Sequence, residues 1–288
     1  MVQPHLHQAL DKDLADSVLF LLHEPSHPGN IGAAARALGV MGFARLACAA
    51  ARLPDWKSHP DALARAGHAS DVLAGAVHYA GLEEALADSH VVIAVSADVR
   101  DFGPDMVSVT HAAHLAVARL SARRDLRLVF LFGSERHGLS RQQAAHTHLL
   151  ACIPGEPAYH SLNLAQAVLL VAWELRRAML ACRPPDAWEP GPGEIQSAAS
   201  AMEVIRVPSP PEGEPADAQS VEAMIRHLES AALLVGFLDP EHPKMLIPRL
   251  RRMLMRCELR REEVDLLRGF FRAIEHPRRR NQDHGSRD

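Results

Sequence analysis

The sequence predicts an α/β protein whose mostly parallel sheet carries helices on both faces, with a small all-α extension near the C-terminus. Strand-like and helix-like segments alternate over residues 16–180, and this order is typical of parallel sheets. The strand-like segments are continuous apolar runs, as expected for strands that are buried on both faces. A proline-rich stretch then separates this part from segments that have helical periodicity only.

Five apolar runs are predicted as strands. The clearest reads LRLVFLF, and the first reads VLFLLH. Each run has the length of an ordinary strand. In chain order the predicted strands are Val18–His23, 45–50, 90–95, 126–132 and 148–153.

Four helices are predicted in the same part of the chain. The longest repeats apolar residues at spacings of three and four, as a helix with one buried face requires. The first is rich in alanine, which favours helices. The predicted helices cover residues 32–41, 82–87, 111–120 and 162–180.

The chain divides into four predicted parts. Residues 1–182 form the α/β domain, and residues 183–216 hold eight of the twenty prolines and form a linker. Residues 217–276 form a basic helical extension of three helices, with Ser220 as candidate N-cap of the first. The second helix is predicted to have an apolar side, formed by Leu250, Met253, Leu254 and Cys257. Residues 277–288 are predicted to be disordered.

Composition narrows the class of protein. The net charge is −4, and the four cysteines form no CxxC pair, which indicates free thiols in a reducing compartment. The eighteen histidines show no metal-binding spacing, so no metal site is expected. The N-terminus lacks a signal peptide, and no apolar run reaches the roughly 20 residues of a membrane span. We therefore expect a cytoplasmic protein that has no membrane partner.

Positive charge is concentrated near the C-terminus. Residues 244–280 contain twelve Lys and Arg against five Asp and Glu, a net +7 that leaves about −11 for the rest. A basic cluster in an acidic chain indicates contact with a polyanion. Arg249, Arg252 and Arg256 share one helix face, which favours contact with RNA phosphates. The alternative is an ordinary solvated helix face.

The first predicted strand is followed by EPSHPGNIGAAARA, residues 24–37. Gly29 and Gly32 allow a tight turn and close approach of the backbone, and Asn30 is a plausible helix cap. Arg36 has small residues three and four positions away, which leaves room for it to face a substrate. The G-x-x-G spacing does not match the dinucleotide fingerprint G-x-G-x-x-G. The alternative is a surface arginine on an ordinary helix.

Three more polar, glycine-containing segments follow strands, where α/β sheets place their ligand sites. They read VSADVR after the strand 90–95, FGSERHGL after 126–132 and IPGEPAYHSLN after 148–153. In the second, Glu135 and Arg136 could simply form a salt bridge within a turn. In the third, Ser161 or Asn163 could cap the following helix. Together the segments predict polar loops gathered at one edge of the sheet.

The order of these four motifs resembles the SPOUT superfamily of RNA methyltransferases, and more closely the TrmJ-type tRNA ribose 2′-O-methyltransferases. The resemblance covers residues 16–180, and FLDPEHPKMLIPRLRRML and LLRGFFRAIE resemble that family's helical extension. It implies a deep trefoil knot in the C-terminal part of the α/β domain, which periodicity does not predict because knots are so rare. It also implies a homodimer with the active site near the interface.

The resemblance implies that S-adenosylmethionine binds in a bent form among the loops of the knot. Backbone groups of such loops can recognise the adenine edge while apolar side chains surround the ring. Carried over by motif, the cofactor-binding residues are Val95, Ser96, Ala97, Gly133, Ile153, His160, Ser161 and Leu162.

Arg36 matches the arginine that the family places at its catalytic centre. A guanidinium is always charged and makes a poor base. The hypothesis is therefore that Arg36 orients the ribose hydroxyl and stabilises developing oxyanion charge, with Glu24 or a phosphate helping. Asn30 and Ser161 are expected to position the reactants.

Two positions depart from the family pattern, and both changes remove positive charge near the expected RNA. Asp98 stands where the family has arginine, and Ser134 replaces the arginine of G-R-E-R. They leave the expected cofactor residues intact. RNA contacts are expected from Arg100 and Arg136, and from Arg249, Arg252 and Arg256 of the extension.

The first functional hypothesis is 2′-O-methylation of tRNA, at a C or U that is the first nucleotide of the anticodon loop. A second is methylation of ribosomal RNA or of another tRNA ribose. A third, from a different class, is a non-catalytic RNA-binding protein on the same scaffold. A nucleotide-dependent oxidoreductase would need the dinucleotide fingerprint, which the sequence lacks.

Overall fold

The computed structural model describes residues 8–97, 104–156, 161–182 and 213–276. The predictions for Asp98, Arg100, His160, most of the linker and the residues 277–288 lie outside the described residues. The trefoil knot stays a prediction. Among the described residues, no helix combines the length and the apolar character that crossing a membrane would need.

The centre of the molecule is a sheet of seven strands in the order β3-β2-β1-β6-β4-β7-β5, and every pairing is parallel. This confirms the predicted parallel sheet, and all five predicted strands are present. The edge strands β3 and β5 were not predicted, because each has only three residues and neither is an apolar buried run. The strands are β1 (Val18–His23), β2 (Leu46–Ala49), β3 (Val77–Tyr79), β4 (Val91–Val95), β5 (Met106–Ser108), β6 (Leu128–Phe132) and β7 (Leu149–Cys152).

Helices cover both faces of the sheet, as predicted. Alternate residues of β1 point to opposite faces: Phe20 belongs to the larger core under α2, α6 and α8, and Leu21 to the smaller core under α5 and α7. The four predicted helices are present, and α1, α3, α4 and α7, all of seven residues or fewer, were not predicted. The helices are α1 (Lys12–Asp16), α2 (Pro28–Met41), α3 (Pro60–Ala66), α4 (Ser70–Gly75), α5 (Leu82–Leu86), α6 (Val109–Ala122), α7 (Arg141–Ala144) and α8 (Leu164–Ala181).

The strand order reverses direction beside β1. The chain builds β1, β2 and β3 outward to one side, and all later strands lie on the other side of β1. In open α/β sheets, the crevice for ligands forms beyond the carboxyl ends of the strands at such a reversal. The segments that follow β1, β6, β4 and β7 therefore meet at one edge.

The glycines of α2 have a packing role that differs from the sequence-based interpretation. A Cβ on Gly32 would lie 2.0 Å from the carbonyl oxygen of Ala62 in α3, and a Cβ on Gly39 would lie 2.9 Å from the Cβ of Ala69. The interpretation that these small residues clear a path to Arg36 is therefore wrong. They let α3, and the 3₁₀ turn Gly67–Ala69 after it, pack directly on α2.

Replacing Gly32 with alanine is expected to destabilise the protein by about 2–3 kcal/mol, because α3 must move away from α2. Gly269 is the matched control, since it lies inside a helix and a Cβ added there would have no atom within 4 Å. Gly269→Ala should stabilise by about 0.5–1 kcal/mol through helix propensity. Urea unfolding of both variants measures the difference, and equal effects would exclude the close α2–α3 contact.

Three helices form the C-terminal extension: α9 (Ala218–Leu234), α10 (Leu246–Arg256) and α11 (Arg261–Glu275). The N-cap of α9 is Asp217, whose side chain accepts from the Ser220 amide, so the prediction of Ser220 as the cap is wrong. The predicted apolar side of α10 is correct only in part: Leu254 packs against the core of the extension, but Met253 is 49% exposed, Cys257 is exposed and the buried residue is Met255. Arg251 of α10 pairs with Glu222 of α9.

The extension packs on the α/β domain through polar contacts. Arg252 pairs with Asp105 at 2.7 Å, and Arg119 of α6 pairs with Glu258. The Ala218 amide at the start of α9 donates to the Ser89 carbonyl at 2.9 Å. The extension therefore touches the end of the sheet where β4 and β5 begin.

His148 completes the start of β7. Its backbone N–H donates to Val92 O at 2.8 Å, and its ring Nδ1 accepts from Val92 N at 3.1 Å. Burial and the nearby Arg119 lower the pKa of His148 to about 4. The neutral ring is the form that can accept this hydrogen bond.

Stability is expected to fall as the pH drops from 6.5 towards 4. In this window, the unfolded chain takes up a proton at His148 that the folded protein does not bind, so protonation favours unfolding. His148 should account for a loss of about 1–3 kcal/mol in unfolding free energy, and this loss is smaller where solvent reaches the ring. His148→Asn keeps an acceptor and should flatten this part of the profile in urea unfolding. If the slope of unfolding free energy against pH is the same in this variant, other groups cause the pH dependence.

Candidate active site

Four segments meet beyond the carboxyl ends of β1, β4, β6 and β7, as predicted. The segments after β4, β6 and β7 enclose a cavity of about 290 Å³, and the segment after β1 contacts the turn after β6. Seven of the eight predicted cofactor residues line the cavity, and the eighth, His160, lies outside the described residues. The seven are Val95, Ser96, Ala97, Gly133, Ile153, Ser161 and Leu162.

The cavity combines apolar walls with polar backbone. Leu139 and Leu164 add apolar surface that the motifs did not predict, and Arg136 also lines the cavity. Such a mixture is typical of small-molecule sites, where a few polar groups fix the orientation of a mostly apolar ligand.

The segment after β6 forms a small closed turn. Ser134 N donates to Gly138 O at 3.1 Å, and Gly138 N donates to Ser134 O at 2.9 Å. A Cβ on Gly133 would lie 2.1 Å from the carbonyl carbon of Gly138. Only glycine therefore fits at position 133. The helix that follows begins at Arg141 with Ser140 as its N-cap.

Glu135 ties this turn to the start of α2. Its carboxylate accepts from Ser26 N at 3.0 Å, Ser26 Oγ at 2.9 Å, His27 N at 3.2 Å and Asn30 Nδ2 at 3.1 Å. Burial alone would raise the pKa of Glu135, but the hydrogen bonds from Ser26 and Asn30 outweigh it and leave the pKa lowered. The carboxylate is thus ionised at the positive end of the α2 dipole. The alternative of a local salt bridge with Arg136 is not present.

Asn30 extends this connection to α8. It is buried in the first turn of α2, where the N-cap is His27, so its predicted capping role is wrong. Its Oδ1 accepts from Asn163 Nδ2 at 3.0 Å. Asn163 is itself the N-cap of α8, through Ala165 N at 2.9 Å, which decides between the two predicted caps. A single chain of hydrogen bonds therefore runs through three loops of the site.

Glu24 follows β1 in a left-handed conformation, with φ of 51°. Its amide donates to Ala49 O at 2.8 Å, and its carboxylate lies 3.4 Å from His23 Nε2. Burial lowers the pKa of His23 more than Glu24 raises it. The Glu24 carboxylate is partly exposed, so it can meet a substrate at the edge of the sheet.

Arg36 is exposed and lies outside the cavity, on the third turn of α2. Its Nη1 lies 3.8 Å from where a Cβ of Gly67 would be. Among the described residues, no carboxylate pairs with it. The structure thus places the predicted catalytic arginine on the helix that Glu135 anchors, but not in the cofactor cavity. Arg249, Arg252 and Arg256 lie apart from the cavity, on α10.

The sequence profile of the SpoU rRNA Methylase family matches residues 17–173. The profile of the tRNA methyltransferase TrmJ C-terminal domain matches residues 219–284. A curated relative from Pseudomonas aeruginosa, tRNA (cytidine/uridine/adenosine-2′-O-)-methyltransferase TrmJ, is 35% identical over 90% of this chain and 93% of its own length. The chain belongs to the TrmJ branch of the SpoU methylases. It is therefore an enzyme, a 2′-O-methyltransferase of this family.

Other TrmJ relatives agree over nearly the whole chain. The tRNA (cytidine/uridine-2′-O-)-methyltransferase TrmJ of Cronobacter sakazakii is 33% identical over 92% of this chain and 98% of its own. The crystal structure of TrmJ from Z. mobilis superposes with a TM-score of 0.69, at 28% identity, over 89% of this chain and 98% of that one. A probable methyltransferase from Bordetella pertussis is 42% identical over 58% of this chain and 99% of that one, with a TM-score of 0.56.

The sequence-based recognition of the family is thus confirmed, as is the enzyme class. The motifs did not predict the role of Glu135, which depends on the strand order placing β6 beside β1. One signal in the sequence could have indicated this role. Glu135 lies in the loop after one predicted strand, and the start of α2 follows another strand; the N-terminus of a helix attracts a negatively charged group.

Among the described residues, no group of three or more His, Cys, Asp or Glu side chains could hold a metal ion.

Proposed function

We propose that this methyltransferase transfers a methyl group from S-adenosylmethionine to a ribose 2′-hydroxyl of tRNA. The observation that supports this proposal most strongly is the cavity of about 290 Å³, because seven of the residues that the motifs predict to bind the cofactor line it. The turn that lines this cavity is linked to α2, the helix of Arg36, by the hydrogen bond between Glu135 and Asn30. The TrmJ relatives, named as tRNA 2′-O-methyltransferases, support the reaction and the substrate class.

The cofactor pocket comprises Val95, Ser96, Ala97, Gly133, Ile153, His160, Ser161 and Leu162 in this proposal. When bound, S-adenosylmethionine supplies an electrophilic methyl group on a sulfonium. The glycine at position 133 supports the assignment, because any Cβ there would strike the turn that closes the pocket. The apolar side chains Ile153 and Leu162 enclose the ring, and loop backbone groups hold its polar edge.

Arg36 orients the ribose hydroxyl and stabilises the negative charge that develops on its oxygen as the new O–C bond forms and the S–C bond breaks. The hydroxyl proton leaves to an acceptor, for which the Glu24 carboxylate or an RNA phosphate is available. Asn30 and Ser161 hold the loops in position. The fixed charge of Arg36 suits stabilisation rather than proton removal.

A homodimer would cover apolar surface next to the cavity. Leu169, Leu170 and Trp173 lie on one side of α8 and are 38%, 38% and 47% exposed. Leu162, which lines the cavity, is also 42% exposed. Aromatic and leucine side chains this exposed are common at protein interfaces. The dimer expected for the family would bury them and bring a second copy close to the cofactor.

The RNA contacts are assigned to Arg100, to Arg136, which lines the cavity, and to Arg249, Arg252 and Arg256 on the extension. The target, a C or U that is the first nucleotide of the anticodon loop, comes from the family resemblance, and the relatives' names support the base classes. The second candidate is another tRNA or rRNA ribose, since the family profile is named for rRNA methylation. A tRNA substrate fits the cytoplasmic location predicted from the sequence.

A transfer assay tests this proposal. The purified protein is incubated with methyl-labelled S-adenosylmethionine and with separate tRNA and rRNA fractions, while calorimetry measures cofactor binding. Label in tRNA alone is the expected result. Label in rRNA would favour the second candidate, and cofactor binding without label in either RNA would favour a non-catalytic RNA-binding protein.

A further inference from the structure

His23 is a buried polar residue at the edge of the candidate active site. It is the last residue of β1, and the residue before it, Leu22, pairs with Phe132 of β6, which lines the cofactor cavity. The roles proposed above for Arg36 and Glu24 do not use His23. A buried histidine therefore lies next to Glu24, which is one of the two groups available to receive the proton of the ribose hydroxyl.

The hydrogen bonds around His23 determine which nitrogen of its ring carries the proton. The side-chain oxygen of Gln143 in α7 is already engaged, because Oε1 accepts from Ser140 N at 2.7 Å. Nε2 of Gln143, which lies 2.7 Å from Nε2 of His23, is therefore the NH₂ group and donates. A donor needs a lone pair on its partner, so Nε2 of His23 is unprotonated and the neutral ring carries its proton on Nδ1.

This arrangement leaves the second ring nitrogen of His23 without a structural role. Within the described part of the chain, Nδ1 of His23 is buried and has no hydrogen-bond partner. Buried polar atoms are nearly always paired, and an exception calls for a reason other than packing. An apolar side chain would fill the end of this buried strand without the penalty of an unpaired donor.

The Glu24 carboxylate lies beside the unprotonated nitrogen. Its Oε1 is 3.4 Å from His23 Nε2, and the Glu24 side chain is 43% exposed whereas that of His23 is 7% exposed. Among the described residues, Glu24 is the charged group that acts on the ring, while β2 contributes the Ala49 carbonyl and α7 the neutral Gln143 amide. Burial lowers the pKa of His23 and outweighs the opposing effects of Glu24 and Ala49. At pH 7 the ring is therefore neutral, and its lone pair is within reach of a proton held by Glu24.

We propose that His23 and Glu24 act as one proton-accepting pair during methyl transfer, with His23 as a positioning residue that acts through Glu24. This inference rests on the proposed function. As the ribose O–H bond breaks and the oxygen bonds to the methyl carbon, the proton moves to the Glu24 carboxylate, and the electrons of the S–C bond stay on sulfur. The new carboxyl O–H then donates to His23 Nε2 in place of the Gln143 amide. The proton leaves to water through the exposed carboxylate.

His23→Gln tests the pair. The glutamine oxygen can take the place of Nε2 and accept from Gln143, but it takes up no proton between about pH 5.5 and 8. We expect kcat to fall about 10- to 100-fold, while KM for tRNA and the affinity for S-adenosylmethionine stay unchanged. In the wild type, kcat/KM should decrease as the pH falls below 6.5, because the protonated ring donates to Glu24 and occupies its carboxylate. The variant should lack this decrease.

Glu24→Gln and the double variant measure whether the two residues act together. If they form one pair, His23→Gln should cause no further loss of kcat in the Glu24→Gln background, whereas independent effects would multiply. His242→Gln is the matched control. His242 also lies beside a carboxylate, with Nδ1 3.3 Å from Asp239 Oδ2, but it is exposed on the extension. This control should keep the wild-type kcat and pH profile.

With an active wild type, a His23→Gln variant of unchanged kcat and pH profile would overturn the proposal, because the histidine would then only hold Gln143. Effects that multiply with Glu24→Gln would overturn it as well. Nitrogen NMR of the wild-type ring at pH 7.5 needs no activity: we expect the proton on Nδ1, and a proton on Nε2 would contradict the pair. A wild type that methylates no RNA would overturn the proposed function itself, and this inference with it.

Discussion

Replacing Arg36 with alanine is expected to lower kcat by at least about 100- to 1000-fold, the usual effect of removing one group that stabilises a developing oxyanion. The affinity for S-adenosylmethionine should not change, because Arg36 does not line the cofactor cavity. Stability should also stay within about 0.5 kcal/mol, since the side chain is exposed. Single-turnover kinetics and calorimetry measure the two functional effects separately.

Arg36→Lys separates charge from geometry. Lysine keeps the positive charge but loses the planar pair of donors, so activity should recover only in part. Alanine and lysine variants that both retain wild-type turnover would remove Arg36 from the reaction. The exposed surface arginine considered from the sequence would then be the correct interpretation.

Replacing Glu135 with alanine is expected to have the largest effect on the integrity of the site. The substitution leaves Ser26 N, Ser26 Oγ, His27 N and Asn30 Nδ2 without their acceptor. Hydrogen bonds to a charged group are worth more than neutral ones, so we expect a loss of about 2–4 kcal/mol in unfolding free energy. Affinity for S-adenosylmethionine should fall as well, because the turn that lines the cavity loses its link to α2. Urea unfolding and calorimetry measure both quantities.

Glu135→Gln provides the graded comparison. The single carbonyl oxygen of glutamine can accept some of the four hydrogen bonds, but its NH₂ group would face the remaining donors. The loss of unfolding free energy should therefore be intermediate. Glu156→Ala is the neutral control, since Glu156 is exposed in the loop after β7 and should change stability by less than about 0.5 kcal/mol. A Glu135→Ala protein as stable as this control, with unchanged cofactor affinity, would contradict the anchoring role.

The parallel sheet and its main helices could be predicted from the sequence because each has a strong local pattern. The five long apolar runs and the periodic helix α8 need only burial and spacing to be recognised. The short edge strands β3 and β5 could not, since three residues with an exposed side carry no pattern. The apolar side of α10 was predicted only in part, since Leu254 packs on the core of the extension but Met253 does not, and the pair between Arg251 and Glu222 of a neighbouring helix has no local pattern.

The motifs predicted most of the residues that line the cavity beyond β4, β6 and β7, but not the way in which its loops are held. Asn30 looked like a helix cap, yet it meets Glu135, which is 105 residues away in the chain. Gly32 looked like access for a substrate, yet it is small because the Ala62 carbonyl packs against it. Both errors have one cause, since a local pattern does not show which distant element will occupy the space beside it.

The most direct test of the central claim is to locate the methyl group. Wild-type protein is incubated with labelled S-adenosylmethionine and total tRNA, and the modified nucleotide is mapped by mass spectrometry, with Arg36→Ala as the control. We predict a 2′-O-methyl group on the C or U that is the first nucleotide of the anticodon loop, and none with the Arg36 variant. A methyl group on a base, or no methylation of any tRNA by a protein that binds the cofactor, would contradict the claim.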